Sequence, residues 1–308
     1  MDTLEECFEA DRALVFGAGC CGDVVSAVPT ARLLEAHGVE AVLGGVAWER
    51  VVVDPRPGPR HFDEIEGIER LNDAVALASA ETRTHDGVEF AETHVARYYD
   101  EPVALIDLAG GAAGVARGLD DACQRLGADL VVGTDAGGDV LAAGDEPGIK
   151  SPLTDALMLA ALSSVETDAA LGVFGYGSDG ELTPDEVGDG IARAARRGGL
   201  LGAWGLTPRV VEELEGLLED VTTEASRLPV RAARGQVGDV PIRDGARVVE
   251  VTPASTVTFY LDPEAVAATS DLDEHVRGTE SFEDAQAGLN RAGYETELDL
   301  ERELAGGE

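Results

Sequence analysis

Short apolar runs that end at a glycine or an acidic residue recur four times along the chain. They cover residues 13–17, 103–107, 130–133 and 171–175, and each is followed by a glycine-rich loop and a helical pattern. This alternation predicts βαβ units, and therefore a Rossmann-like α/β fold with a mostly parallel, doubly wound sheet and flanking helices. In such a sheet the loops at the carboxyl ends of the strands lie side by side, and small ligands bind there.

Two parts of the chain depart from this alternation. Residues 46–100 read as an irregular insertion, in which we expect a short helix and then a hairpin that turns near Asp86. Residues 240–308 read as a small β-rich extension that ends in a polar helix near 282–305. We therefore predict a single α/β domain over residues 1–308 that carries both additions.

The charge of the chain bears on its solvent and on its partners. Acidic residues outnumber basic ones by 60 to 23, and the formal net charge is −37. This composition is typical of haloarchaeal proteins in molar salt, where the Debye length is only ~3 Å. It disfavours nucleic acid and anionic membranes as partners. Because the amino-terminal residues lack a secretory pattern, we expect a cytoplasmic protein with a small-molecule ligand, and a homo-oligomer stays open.

The first loop fits a known phosphate-binding pattern. Gly17, Gly19 and Gly22 match G-x-G-x-x-G between a strand and a helix, where glycines and helix N–H groups can hold a phosphate. Asp23 follows directly and would place a negative charge near that phosphate. The next strand also lacks the acidic residue that binds ribose in NAD(P) enzymes. A phosphate loop, an NAD(P) loop and a plain turn with Asp23 as the helix cap are therefore all open.

The loop after the third of these strands is the best candidate for a metal site. Asp135 and Asp139 share this glycine-rich loop, and Ser151 should cap the next helix, which places Asp155 about one turn inside it. Oxygen ligands with open positions suit hydrated Mg²⁺ or Mn²⁺ better than zinc. We therefore predict that Asp135, Asp139 and Asp155 bind a divalent metal. The alternative is that these acids only cap turns and helices.

Further candidates lie in the neighbouring loops. Asp179 follows the fourth apolar run and is a candidate general base, so the predicted catalytic set is Asp135, Asp139 and Asp179. Lys150 is the only lysine of the chain and is a candidate for binding phosphate. The predicted substrate- or phosphate-binding set is Gly17, Gly19, Gly22, Gly137, Gly138, Lys150, Ser151 and Gly177.

The cysteines give little indication of chemistry. Their spacing does not match a zinc site, and adjacent Cys20 and Cys21 rarely form a disulfide with each other. We therefore expect reduced thiols. A nucleophilic cysteine would need a paired base, and no histidine has the sequence context of one.

Three segments together resemble an archaeal family catalogued as domain of unknown function 1152. They are Asp135-Ala-Gly-Gly-Asp139, Ser151-Pro152 with Asp155, and Gly177-Ser-Asp-Gly-Glu-Leu182. The resemblance covers roughly residues 10–265. In the first loop Cys20 and Cys21 replace part of the glycine-rich run usual in that family. The resemblance implies the position of a site and no particular activity.

Three functions are compatible with these patterns. The first is an enzyme that acts on a small phosphorylated or nucleotide-like metabolite and depends on Mg²⁺ or Mn²⁺. The second is an oxidoreductase that binds an NAD(P)-type dinucleotide. The third is a non-enzymatic assembly or sensor protein in which the loops are structural. The fold alone does not choose among them, and the sequence does not establish that the protein is an enzyme.

Overall fold

The strands and helices follow most of the predicted alternation. The computed structural model describes residues 1–306. Its strands are β1 Arg12–Gly17, β2 Glu40–Val46, β3 Ile65–Arg70, β4 Val75–Thr84, β5 Val103–Ile106, β6 Leu130–Ala136, β7 Asp168–Phe174, β8 Leu200–Gly205, β9 Gly238–Ile242, β10 Arg247–Val251 and β11 Val257–Leu261. Its helices are α1 Val24–Ala36, α2 Ala91–Tyr99, α3 Gly111–Leu126, α4 Pro152–Leu162, α5 Pro184–Ala195, α6 Pro208–Leu217, α7 Glu224–Ala233, α8 Pro263–Ala267, α9 Asp271–Val276, α10 Phe282–Ala292 and α11 Glu297–Gly306.

The central sheet has the strand order of a Rossmann-like fold. Within residues 1–306, nine strands form one sheet in the order β3-β4-β5-β2-β1-β6-β7-β11-β8. The five strands β5-β2-β1-β6-β7 run parallel to one another. Taken in chain order, these five have the order 3-2-1-4-5, which reverses direction between β1 and β6. The predicted Rossmann-like fold is therefore confirmed, and its ligand-binding crevice is expected at this reversal.

Both edges of the sheet are antiparallel. Strands β3 and β4 form a hairpin that extends the sheet beyond β5. Its turn lies at residues 71–74, so the predicted position of the hairpin is wrong. The hairpin turns there because Asn72 Oδ1 accepts hydrogen bonds from the amides of Ala74 and Val75. The chain does turn near Asp86, but this turn follows β4 and leads to α2. At the other edge, β11 lies antiparallel between β7 and β8.

The carboxyl-terminal part also differs in detail from its prediction. The expected polar helix near 282–305 is two helices, α10 and α11. The break occurs at Gly293, which has a left-handed φ of +97° and ends α10. As a result, α11 turns back toward the ends of the parallel strands.

Helices cover both faces of the sheet, and this explains why its strands are continuously apolar. In β1, Ala13 and Val15 pack into a core with α1, α2 and α6, whereas Leu14 and Phe16 pack into a second core with α3, α4 and α5. Among the helices of residues 1–306, none is both long enough and apolar enough to cross a membrane.

Candidate functional site

A cavity of about 290 Å³ opens at the carboxyl ends of β1, β6 and β7. It lies at the reversal of strand order, where the sheet topology predicts a ligand site. The loops after these strands form its floor, together with the first turn of α4. The start of α7, the β9–β10 hairpin and α11 form its rim.

The cavity gathers seven of the residues predicted from sequence. Those that line it are Gly19, Asp135, Asp139, Lys150, Ser151, Asp155 and Asp179. The other five predicted residues are glycines that shape the adjoining loops and do not line the cavity in the part of the chain that is described: Gly17, Gly22, Gly137, Gly138 and Gly177.

The three predicted metal ligands meet in the floor of this cavity. One carboxylate oxygen from each of Asp135, Asp139 and Asp155 lies within 4.8 Å of the other two. One carboxylate oxygen from each of Asp139, Asp179 and Glu181 likewise lies within 4.8 Å of the other two, and these residues form a second group. Asp139 thus belongs to both groups. An Mg²⁺ or Mn²⁺ ion needs several oxygen ligands around one point, and each group supplies three.

Three of these carboxylates have an oxygen without a hydrogen-bond donor. Within residues 1–306, Oδ2 of Asp135, Oδ1 of Asp155 and Oδ1 of Asp179 are buried without any hydrogen-bond partner. The exposed fractions of the three residues are only 1%, 6% and 7%. A buried, unsatisfied oxygen destabilises the fold by about 1–3 kcal/mol, and more when it is charged. This arrangement is therefore unfavourable unless protons or cations neutralise it.

The pKa values of these carboxylates are raised because burial disfavours their charged forms. Burial, followed by the charge of Glu181, raises the pKa of Asp179 to about 8. Burial raises the pKa of Asp135 to about 6. Burial and the neighbouring acids also raise the pKa values of Asp139 and Asp155 well above their ordinary range. A divalent cation would reverse these shifts because it favours the charged forms.

Asp23 lies beneath the glycine-rich loop and does not cap α1. Its side chain makes no capping hydrogen bond. Instead, Oδ2 accepts a hydrogen bond of 3.3 Å from the amide of Ala136 on β6. A Cβ atom on Gly19 would come within 2.5 Å of the same oxygen, so glycine is needed for this close approach. The capping interpretation is therefore wrong, and Asp23 instead lines the cavity.

Glu181 connects the loop after β7 to the start of α4. Its carboxylate accepts hydrogen bonds from the amides of Lys150 and Ser151, at 2.6 and 2.9 Å, and from the Ser151 hydroxyl at 2.7 Å. It also forms an ion pair of 3.1 Å with Arg247. The Ser151 side chain therefore binds Glu181 and does not cap α4 as predicted. Lys150 Nζ lies at the rim, 3.9 Å from Glu295.

The residue that caps α4 comes from the far end of the chain. Glu297, in α11, accepts hydrogen bonds from the amides of Leu153 and Thr154 at 3.0 and 2.7 Å, and from the Thr154 hydroxyl at 2.7 Å. An anion at this position satisfies free N–H groups of the helix and interacts favourably with its dipole. This contact holds the helical turn that carries Asp155.

Replacing Glu297 with alanine is expected to reduce the free energy of unfolding by about 1–3 kcal/mol, because buried donors of α4 lose their acceptor. Denaturant unfolding at ~1 M KCl measures this effect. Glu303→Ala is the control, since Glu303 lies exposed on the same helix. Equal effects of the two substitutions would show that the capping contact contributes nothing.

Three arginines from two distant parts of the chain line the same cavity. They are Arg50, Arg243 and Arg247. Within residues 1–306, the side chains of Arg50 and Arg243 have no carboxylate within ion-pair distance. The backbone of Arg243 is held by Glu224, whose carboxylate accepts its amide at 3.0 Å. Burial, together with Arg247, lowers the pKa of Arg243. The cavity therefore combines an acidic floor with unpaired cations above it.

The two adjacent cysteines form a disulfide at the edge of the cavity. Cys20 and Cys21 are bonded to each other, so the prediction of free thiols is wrong for this pair. Cys21 adopts a left-handed φ of +66°, a conformation that tight turns favour. Cys7 and Cys123 are buried and free. Burial raises the pKa of Cys7 to about 11 and that of Cys123 to about 12, which makes both poor nucleophiles.

Fold and cavity together define a Rossmann-like α/β protein with a carboxylate-lined candidate site where its strand order reverses. Residues 14–305 match the model of the family described as "Protein of unknown function (DUF1152)", and the chain belongs to this family. The predicted family resemblance is thereby confirmed. Comparisons with curated proteins and with solved structures returned no match.

Proposed function

We propose that this protein is an enzyme that acts on a small phosphorylated or nucleotide-like metabolite and depends on Mg²⁺ or Mn²⁺. One observation carries the proposal: Asp135, Asp139 and Asp155 bring three ligand oxygens within 4.8 Å of one another, and two of these residues have a buried oxygen without a partner. Buried charges without partners are typical of functional sites, because they reduce stability unless a ligand compensates them.

The charges of the cavity support a phosphorylated substrate. Carboxylates alone would repel a phosphate, so such a ligand requires a cation between them. The unpaired guanidinium groups of Arg50 and Arg243 lie on the same cavity and can bind phosphate oxygens through several hydrogen bonds. When bound, the metal would polarise the phosphoryl group.

Asp179 is a further buried carboxylate of the floor, and two roles are open to it. Its free Oδ1 could accept a proton from an attacking nucleophile, as a general base does. It could instead bind a second cation, since it lies close to Asp139. A nearby cation would lower its pKa in either case.

A thermal-unfolding screen tests the proposal. We propose that the acidic composition is an adaptation to a haloarchaeal cytoplasm, so the screen uses ~1 M KCl. Nucleotides, sugar phosphates and NAD(P) are each added with Mn²⁺ or with EDTA. A ligand at ~100 times its Kd stabilises by about 2.7 kcal/mol. We expect a phosphorylated ligand to stabilise the protein only when Mn²⁺ is present, and a panel without any shift would contradict the proposal.

Arg243→Gln is expected to weaken binding of the phosphorylated ligand found in this screen by roughly tenfold or more, because a charge-assisted hydrogen bond is lost. Affinity for Mn²⁺ should stay unchanged. Titration calorimetry measures both constants. Arg291→Gln, on the exposed side of α10, is the control. Unchanged ligand affinity in Arg243→Gln would remove this arginine from the substrate site.

The dinucleotide alternative has one observation in its favour, the 3-2-1-4-5 order of the parallel strands. The buried carboxylate of Asp23 beneath the glycine-rich loop opposes it. Stabilisation by NAD(P) in the presence of EDTA would favour this alternative over a metal-dependent enzyme.

A further inference from the structure

We infer that the cavity binds two divalent cations that share Asp139 as a bridging ligand. The first ion is the one already proposed, between Asp135, Asp139 and Asp155. The second is held by Asp139, Asp179 and Glu181. This inference rests on the proposed metal-dependent function and adds a second binding position to it.

The two positions follow from the geometry of the acidic floor. Each group of three carboxylates brings its ligand oxygens within 4.8 Å of one another, and Asp139 takes part in both. Asp139 directly follows Gly138 in the loop after β6. Its carboxylate lies near Asp155 in the first turn of α4 and near Asp179 and Glu181 in the loop after β7. One carboxylate can bridge two cations because each of its oxygens can bind one of them.

Asp179 gives the independent indication that a ligand occupies the second position. It is 7% exposed, it lines the cavity, and its Oδ1 has no hydrogen-bond partner within residues 1–306. The loop after β6 is shaped to receive this side chain. Gly137 has a φ of +129°, and a Cβ atom there would overlap Oδ1 of Asp179. The amide of Glu181 donates to Oδ2 of Asp179 at 3.0 Å, so Oδ1 is the oxygen that has no donor. A buried carboxylate oxygen without a donor is suited to a cation.

The charge of the floor also favours two ions over one. Six carboxylates surround the cavity floor: Asp23, Asp135, Asp139, Asp155, Asp179 and Glu181. Of the arginines, Arg247 makes a direct ion pair with this group. One divalent cation neutralises two of the six charges and Arg247 neutralises a third. A second divalent cation brings the floor close to neutrality, which a buried site requires.

The two positions are expected to differ in affinity. In the first, Asp135 and Asp155 each offer an oxygen without a competing donor. In the second, Glu181 already accepts hydrogen bonds from two amides and the Ser151 hydroxyl, and it is paired with Arg247. The second ion must share Glu181 with these groups, so it should bind more weakly than the first. Two cations that share a carboxylate form a clamp suited to a phosphoryl group.

Titration calorimetry of the full chain with MnCl₂ tests the inference. The titration is carried out in ~1 M KCl, which screens the surface charge. We expect two Mn²⁺ ions to bind in separate steps, with affinities that differ by roughly tenfold or more. Asp179→Asn should retain the tighter step and lose the weaker one. The control is Asp189→Asn, which removes the same charge from an exposed position on α5 and should retain both binding steps. Asp179→Ala repeats the test with a side chain that lacks the amide group of asparagine.

Each outcome of the titration is decisive. One Mn²⁺ ion in the wild-type protein would overturn the second site and leave the proposed function intact. No binding would overturn both. Two ions in both Asp179 variants would overturn the assignment of Asp179 as a ligand. Broadening of the Mn²⁺ electron paramagnetic resonance signal as the weaker step fills would support two neighbouring ions.

Discussion

Replacing Asp139 with asparagine is expected to abolish the stabilisation of this protein by Mn²⁺. The wild-type protein should gain about 2.7 kcal/mol at a Mn²⁺ concentration of ~100 times the Kd. Asp139 belongs to both groups of candidate ligands, so its substitution removes a charged ligand from each. We expect Mn²⁺ affinity to fall by about 100-fold or more, beyond the loss seen when a supporting residue is changed.

Thermal unfolding of both proteins, with Mn²⁺ and with EDTA, measures this effect. Asp189→Asn is the matched control, because it removes the same charge from an exposed position. A Mn²⁺-dependent gain in Asp139→Asn equal to that of the wild-type protein would show that Asp139 does not bind the metal. Asp135→Asn and Asp155→Asn should each weaken the tighter site.

Asp179→Asn is expected to stabilise the metal-free protein while weakening its binding of metal. Burial, together with Glu181, raises the pKa of Asp179 from an ordinary 3.8 to about 8. This carboxyl therefore takes up a proton on folding, and its contribution to stability falls as the pH rises from near 3.8 to about 8. Asparagine has no charge to bury. At pH 7 the variant should be more stable by up to about 4 kcal/mol, because the carboxyl loses about 1.4 kcal/mol of stability for each pH unit above 3.8.

Denaturant unfolding in EDTA, repeated from pH 5 to pH 8, separates this effect from others. The free energy of unfolding of the wild-type protein should fall more steeply with pH than that of Asp179→Asn, by at most about 1.4 kcal/mol per pH unit for one proton. Parallel curves for the two proteins would show that Asp179 does not titrate over this range. Addition of Mn²⁺ should reverse the order of stability, because the wild-type protein binds more of it.

The sequence was sufficient to predict the edge of the sheet at which the cavity lies and the first group of candidate metal ligands. Asp135 was predicted in a loop and lies instead among the last residues of β6, next to its carboxyl end. Parallel strands end at one edge of the sheet, so this acid and those in the loops after β6 and β7 had to lie near each other. Asp155 could be placed because Pro152 marks the first turn of α4. These predictions depend on local patterns, which a single sequence carries.

The remaining parts of the site depend on contacts between distant segments. Glu297 caps α4 across more than a hundred residues, and Arg243 and Arg247 reach the cavity from a hairpin outside the main sheet. Nothing in the sequence near these residues marks them, because acids and arginines are also common on exposed surfaces. The position of β11 between β7 and β8 likewise depends on pairing with strands that are distant in the sequence.

Ser151 and Asp23 show why a local pattern can mislead. Each stands at the start of a helix, where its residue type favours capping. In the structure, Ser151 binds Glu181 and Asp23 binds the amide of Ala136. Both side chains are held in the cavity floor by partners from other elements of the fold. Local propensity was overridden by the tertiary contacts of the site.

Anomalous X-ray scattering from crystals grown with MnCl₂ would test the central claim most directly, since it locates the metal without reference to activity. We expect a strong peak between Asp135, Asp139 and Asp155, and a weaker peak between Asp139, Asp179 and Glu181. Crystals that bind Mn²⁺ elsewhere and show no peak among these carboxylates would contradict it.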